Sequence, residues 1–251
     1  TVSLPTMKIV IIGGTGFDTH GWIANPRKKT IRPLQGAPSV SLLTGEISGH
    51  WVVAIARHNR DHSYSPTHVP YAANVLALKN EGCTHVIATS ACGSLRAAMR
   101  PGDVVFVDQF IDMTRHRDDT YYHGRPIHTE MAEPFDRFLR KHLVAASKKR
   151  NMRFHPGGTV VTIEGPRFST RAESRMYRSW GADVINMTTS TEAILAREAN
   201  LAYQAVAIVT DYDSWNIHKE PVSVSAILER MKRSEQAVHG LIIDTLARLP
   251  Q

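Results

Sequence analysis

Seven short apolar runs, rich in β-branched residues, most constrain what this 251-residue chain can fold into. They are Lys8–Ile12, Trp51–Ala56, His85–Thr89, Asp103–Val107, Thr159–Ile163, Asp183–Met187 and Tyr203–Val209. Runs of this length read as buried strands. Such strands need helices to cover them, and helical segments lie between several of the runs. Pro70 suits a first helical position, Tyr71, Val75 and Leu78 follow at helical spacing, and Gly82 is a stop. Pro134–Lys149 and Glu192–Asn200 read as two further helices, and Thr170-Arg-Ala-Glu173 has the spacing of a capping box that opens another. Val222–Leu249 is long and amphipathic. Arg115–Met131 is polar and without period, which predicts a long loop. The pattern predicts one α/β domain with a mixed sheet over residues 7–250; residues 1–6 read as a disordered or non-native extension.

Composition narrows the function classes. The net charge of +7 invites a nucleic-acid reading, but the basic clusters Arg27-Lys28-Lys29 and Lys148-Lys149-Arg150 carry no interleaved aromatics, and no nucleic-acid-binding signature appears. A basic field also concentrates small anions. The apolar run Ile9–Ile12 is too short for a membrane span or a signal-peptide core. Cys83 and Cys92 make no disulfide framework and suit a reducing compartment, so a cytoplasmic location is expected.

The strand ends carry the chemistry. Asp211 and Asp213 close the run Tyr203–Val209. A strand points residues i and i+2 to one side, so both carboxylates can face one ligand. Close carboxylates rarely stay equivalent: one can hold a proton while the other stays charged. That pair can donate one hydrogen bond and accept another, as the reading of a heterocyclic base requires. Gly13-Gly14-Thr15-Gly16 follows the first strand without a Walker or dinucleotide pattern, leaving a glycine turn whose N–H groups and Thr15 hydroxyl can meet an anion. Arg57-His58 follows the second, and Arg57 is a natural bidentate phosphate ligand. His58 and His62 are four apart, but Asn59 stands where a zincin motif has Glu, so no metal site is expected. Thr89–Ser94, Glu164–Ser169 and Asn186–Thr189 also follow strands, and Cys92 reads as a buried, inert thiol.

These motifs carry a family resemblance. Ile-Gly-Gly-Thr-Gly-Phe (12–17), Arg57-His58, Ala-Cys-Gly-Ser-Leu (91–95), Met-Ala-Glu-Pro-Phe (131–135), Thr-Ile-Glu-Gly-Pro-Arg-Phe-Ser (162–169), Trp-Gly-Ala-Asp-Val-Ile-Asn-Met-Thr-Thr (180–189) and Thr-Asp-Tyr-Asp-Ser-Trp (210–215) resemble the S-methyl-5′-thioadenosine phosphorylase family, within the trimeric purine nucleoside phosphorylases. The likeness runs from about Lys8 to about Leu249. It implies a nucleoside phosphorylase fold, with a mixed, barrel-like central sheet flanked by helices, assembled as a homotrimer with active sites near subunit interfaces. It implies a pentosyltransferase of purine and methionine salvage that splits methylthioadenosine with inorganic phosphate as co-substrate and no cofactor. Carried over by position, Thr15, Arg57, His58, Ser90, Ala91 and Thr188 would hold phosphate. Met187 would lie against the ribose; Phe168, Ser169, Asp211 and Asp213 would hold the base. Val222, Val224 and Ile227 would line a methylthio pocket, which His128 would reach in a neighbouring subunit. Asp211 would be the proton-bearing partner of purine N7, with Asp213 accepting from the 6-amino group or supporting Asp211. A 6-oxopurine nucleoside is the competing substrate class, and relatives preferring it typically carry Asn at position 211. The chain departs from the family pattern at Ser90 (usually Thr), at Asn59 (usually Gly) and at Thr191 (usually Pro), and its Tyr121–His128 segment is short.

Overall fold

The computed structural model describes residues 7–14, 21–34, 36–217 and 222–250. Residues 1–6, the proposed extension, and Thr15 lie outside them. The described strands are β1 (Ile9–Gly13), β2 (Ala24–Ile31), β3 (Val40–Ile47), β4 (His50–Ala56), β5 (His85–Ser94), β6 (Val104–Phe106), β7 (Gln109–Met113), β8 (Phe154–His155), β9 (Thr159–Ile163), β10 (Val184–Asn186) and β11 (Ala202–Asp211). The α-helices are α1 (Tyr71–Asn80), α2 (Arg137–Lys149), α3 (Arg171–Ser179), α4 (Thr189–Glu198) and α5 (Val224–Leu246).

All seven predicted strands are present. Side-chain alternation divides them between two cores. Val10 and Ile12 of β1 and Val86 and Ala88 of β5 face the side covered by α1 and α4, with Val75, Leu78 and Leu195. Ile9, Ile11 and Ile87 face the side covered by α2 and α5, with Leu139, Leu143, Val238 and Leu241. Each large side chain so buried contributes roughly 1.5–3 kcal/mol. A smaller third core joins Tyr177 of α3 to Leu95, Val161 and Ile185. The α3 capping box forms as its spacing predicts: the Glu173 N–H donates to Thr170 Oγ1 at 3.2 Å and the Thr170 N–H to Glu173 Oε2 at 2.7 Å. The starts of α1 and α2 differ from expectation. Pro70 is the N-cap of α1, not its first residue, and α2 begins after Asp136, whose carboxylate accepts the Leu139 N–H.

The sheet is mixed, in the order β2-β3-β4-β1-β5-β10-β9-β7, and branches at β5, where β11, β6 and β8 follow. β5 continues past the predicted Thr89 to Ser94. Along one edge it pairs with β11 from His85 to Gly93. Along the other it pairs with β1 only as far as Ala88, and with β10 from Gly93 on. Thr89–Cys92 therefore has a neighbouring strand on one edge alone. The gap opens where β1 and β10 diverge, a switch point of the kind where α/β sheets hold ligands.

Candidate active site

A cavity of about 270 Å³ opens at that gap. Its wall includes Arg57, His58, Ser90, Ala91, Thr188, Met187, Phe168, Ser169, Asp211, Asp213, Val222, Val224 and Ile227. Sequence reasoning named all of these, from six separate stretches of chain. His128 is exposed and does not line this cavity.

Arg57, directly after β4, has a side chain 1% exposed. Its Nε and Nη2 donate to Glu192 Oε1 and Oε2 at 2.7 and 2.8 Å, and Nη1 donates to the Thr89 carbonyl at 2.9 Å. Tyr203 Oη donates to Glu192 Oε2 at 2.7 Å. Burial alone would weaken the guanidinium charge; the Glu192 carboxylate outweighs it and holds the group firmly protonated. Gly14 lies against this group: a Cβ there would meet Arg57 Nη1 and the Thr89 carbonyl oxygen, each at 2.7 Å. The glycine after β1 is thus a close-approach position.

His58 Nδ1 lies 2.9 Å from the Tyr64 carbonyl oxygen. A carbonyl only accepts, so Nδ1 carries the proton and Nε2 is left as an acceptor in the neutral ring. Burial, then the Arg57 charge, pushes the imidazole down to about 4, against the Tyr64 bond. Asn59 has φ 66°, the left-handed region that glycine favours and asparagine best tolerates among the others. Its Oδ1 accepts the Arg60 N–H at 2.9 Å, so asparagine keeps the loop backbone.

Asn186 knits the gap together. Its Nδ2 donates to Ser90 Oγ at 3.1 Å and to Thr189 Oγ1 at 2.6 Å, and its Oδ1 accepts from Thr162 Oγ1 at 3.1 Å. Thr188 is the N-cap of α4, and its side chain makes no capping bond. With Thr191 in place of the expected proline, α4 still begins at Thr189, three residues before the predicted start.

The two aspartates meet by a route the strand period did not foresee. Asp211 ends β11, past a register shift, and Asp213 lies in the following turn with φ 48°. A turn, not alternation along a strand, brings both to the cavity. Ser169 Oγ lies 2.7 Å from each carboxylate oxygen of Asp213. Asp211 accepts from Thr210 Oγ1 at 2.7 Å and from the Asp213 N–H at 2.8 Å. Burial raises the Asp211 carboxyl above its ordinary range; these two bonds oppose the rise and the Asp213 charge adds to it. Gly93 lies behind the pair: a Cβ there would sit 3.0 Å from Asp211 Oδ1 and 3.1 Å from Asp213 Cβ. Cys92 is buried beside them, and burial, then Asp211, raises its thiol well above the usual range, which keeps it protonated.

The cavity is thus lined by an ion-paired guanidinium and an imidazole, by a carboxyl whose proton affinity burial raises, and by an apolar wall from the start of α5. Comparison with known proteins points the same way. Residues 8–247 match the profile of the Phosphorylase superfamily. The chain belongs to that superfamily. Within it, the chain is 45% identical to the S-methyl-5′-thioadenosine phosphorylase of Danio rerio, over 98% of this chain and 90% of that protein. It is 44% identical to the protein of the same name from Xenopus tropicalis, over 97% and 89%. Among solved structures, methylthioadenosine phosphorylase from Schistosoma mansoni in complex with adenine is 39% identical, with a TM-score of 0.89 over 96% of this chain and 91% of that one. A point mutant of the same S. mansoni enzyme, in complex with methylthioadenosine, gives a TM-score of 0.88. The chain is an enzyme of the phosphorylase superfamily, a pentosyltransferase with the α/β fold its motifs imply.

Sequence reasoning assigned no role to Glu192 or Tyr203, and reached Asn186 and Gly93 only as members of strand-end motifs. Glu192 stands 135 residues from Arg57. Its one local signal is a carboxylate in a helix otherwise buried among small residues.

Proposed function

We propose that this chain catalyses phosphorolysis of S-methyl-5′-thioadenosine to adenine and 5-methylthioribose 1-phosphate. The reading rests on one observation: a single cavity is lined both by Arg57 with His58, groups suited to an anion, and by Asp211, a carboxyl whose proton affinity burial raises. Phosphate is the nucleophile, so the protein needs no covalent one. Arg57, His58, Ser90, Ala91 and Thr188 hold it, and the P–OH of hydrogen phosphate suits the lone pair on His58 Nε2. A phosphate oxygen bonds to C1′ as the C1′–N9 bond breaks, and positive charge builds on the ribose, as in glycoside hydrolysis. The bond's electron pair goes to the purine. The Asp211 proton passes toward N7 and makes adenine a neutral leaving group. Asp213, oriented by Ser169, accepts from the 6-amino group. Met187 lies against the ribose and Phe168 against the base, while Val222, Val224 and Ile227 take the methylthio group. The names of the 45% and 44% identical relatives support the substrate.

We assign the working form as a homotrimer, in which His128 reaches a neighbour's methylthio pocket. Exposed Tyr122 and Ile127 beside it provide apolar surface for such a contact. Analytical ultracentrifugation checks this, and a monomer at assay concentration overturns it. The reaction is tested by adenine or hypoxanthine release from methylthioadenosine, adenosine, inosine and methylthioinosine, each with and without phosphate. Phosphate-dependent release, fastest from methylthioadenosine, is expected. Release without phosphate, or a preference for the 6-oxopurines, overturns the reading.

A further inference from the structure

Arg117 lies in the stretch between β7 and α2, outside every site motif, yet its side chain is 1% exposed. Its Nε donates to Glu164 Oε1 at 3.0 Å and its Nη2 to the Glu164 carbonyl at 2.7 Å. Nη1 donates to the Met187 carbonyl at 2.7 Å and also lies near Tyr71 Oη at 3.1 Å and Thr191 Oγ1 at 3.3 Å. The guanidinium carbon stands 5.3 Å from the Tyr71 ring centroid. One of these partners lines the cavity, and two others adjoin further stretches of its wall. Glu164 opens the loop that carries Pro166, Phe168 and Ser169. Met187 lines the cavity itself and is followed by Thr188. Tyr71 Oη donates to the carbonyl of Pro66, another wall residue, at 2.8 Å. Thr67 Oγ1 adds a bond to the Glu164 carbonyl at 3.3 Å.

We propose that Arg117 is a positioning residue for the reaction: its fork fixes the wall at Glu164–Ser169 against the wall at Met187–Thr188. Building on the function proposed above, this sets where the base sits relative to the ribose and the attacking phosphate. No atom of Arg117 needs to touch substrate. The partner carboxylate is committed to the same task. Burial would raise Glu164, but the Arg115 N–H, the Arg117 guanidinium and the His116 N–H together hold it at about 2. Glu164 therefore stays charged throughout the working pH range, and the clamp does not open on titration. Lysine cannot replace arginine here, because a point ammonium lacks the planar fork that reaches the Glu164 carboxylate and two carbonyls from the loops after β9 and β10 at once. A displacement of about 1 Å in such a frame costs up to about 10²-fold in rate.

Steady-state kinetics of Arg117→Lys, Arg117→Met and Arg117→Ala, with thermal unfolding of each, test the role. We expect kcat for methylthioadenosine to fall by about 10- to 100-fold in all three. KM for phosphate should rise less than kcat falls, because Arg57 and His58 keep their own partners Glu192 and Tyr64, and of the proposed phosphate ligands only Thr188 lies on the wall that Arg117 fixes. Added guanidinium ion at millimolar concentration should restore part of kcat in Arg117→Ala and none in Arg117→Lys. Wild-type kcat in Arg117→Lys overturns the proposal. So does a loss confined to KM for phosphate, or a rate that merely follows the fraction unfolded. Wild-type turnover in the same assay reports on the reaction itself. Failure of the proposed function thus shows in the wild type, and failure of the positioning role shows only in the variants.

Discussion

At the Arg57 end of the cavity, charge is paired before any ligand arrives; at the Asp211 end burial disfavours it. Arg57 has two buried partners, the bidentate Glu192 carboxylate, itself anchored by Tyr203, and the Thr89 carbonyl. Asp211 owes its character to burial and a neighbouring carboxylate, so its charge depends on its proton. Beyond it the wall passes to the first turns of α5, where Val224 is 61% exposed. The difference follows the proposed reactants. Phosphate is constant, and a rigid ion-paired frame suits it. The nucleoside varies in base and 5′ group, and turns and helix ends can be retuned one residue at a time.

The sharpest test of the contrast is Asp211→Ala. Loss of a general acid predicts a fall of about 10²–10⁴-fold in turnover of methylthioadenosine, with phosphate KM little changed. The sign with pH follows from the raised carboxyl. Its protonated form is favoured by the fold, so both the stability it contributes and the active form are present at low pH and are lost as pH rises through the folded value. The wild-type pH–rate profile should show this alkaline fall and Asp211→Ala should lack it; an unchanged profile would refute the acid role. Next is Glu192→Gln, which leaves Arg57 buried without its counter-charge and should cost about 3–5 kcal/mol. That corresponds to a melting point lower by roughly 10 °C or more in a chain this size. A change in phosphate affinity without loss of stability would mean the frame is not the source of rigidity. Gly93→Ala presses a methyl group against both aspartates, an overpacking of about 1–3 kcal/mol. It should raise KM for the nucleoside and spare KM for phosphate, and equal effects on both would dissolve the boundary between the two ends. The smallest effect is expected for Val224→Ala: about 1 kcal/mol of lost apolar contact, or roughly fivefold in the preference for methylthioadenosine over adenosine, with stability unchanged. Competition between the two substrates measures it.

The fold was legible in most stretches where burial imposes a local pattern, though β3, Val40–Ile47, went unread despite its alternation. The seven runs became strands and the Thr170–Glu173 spacing became a capping box because each is a local rule. β2 escaped notice because it is exposed along Ala24–Thr30 and joins the sheet through its backbone, with no apolar signature. The end of β5 was hidden by Ser90 and Gly93, which read as loop residues until a neighbouring strand supplies their hydrogen bonds. In the site, residues with an exposed-looking chemistry beside a strand end were readable from motifs. Glu192, Tyr203 and Arg117 were not, because their meaning lies in partners 135, 11 and 47 residues away. The pairing of Asp211 with Asp213 was anticipated for a reason that does not hold, since Asp213 has already left the strand.

The interrupted edge of β5 has one more consequence. Because Thr89–Cys92 lacks a neighbour on that side, main-chain groups of the central strand are available to whatever enters, and even Ala91 can be a recognition residue. Part of the specificity is therefore stored in the connectivity of the strands and is silent in the side chains. Substitutions such as serine for threonine at position 90 can drift without erasing it. A change that let β1 and β10 close together would seal the site even with every polar side chain intact.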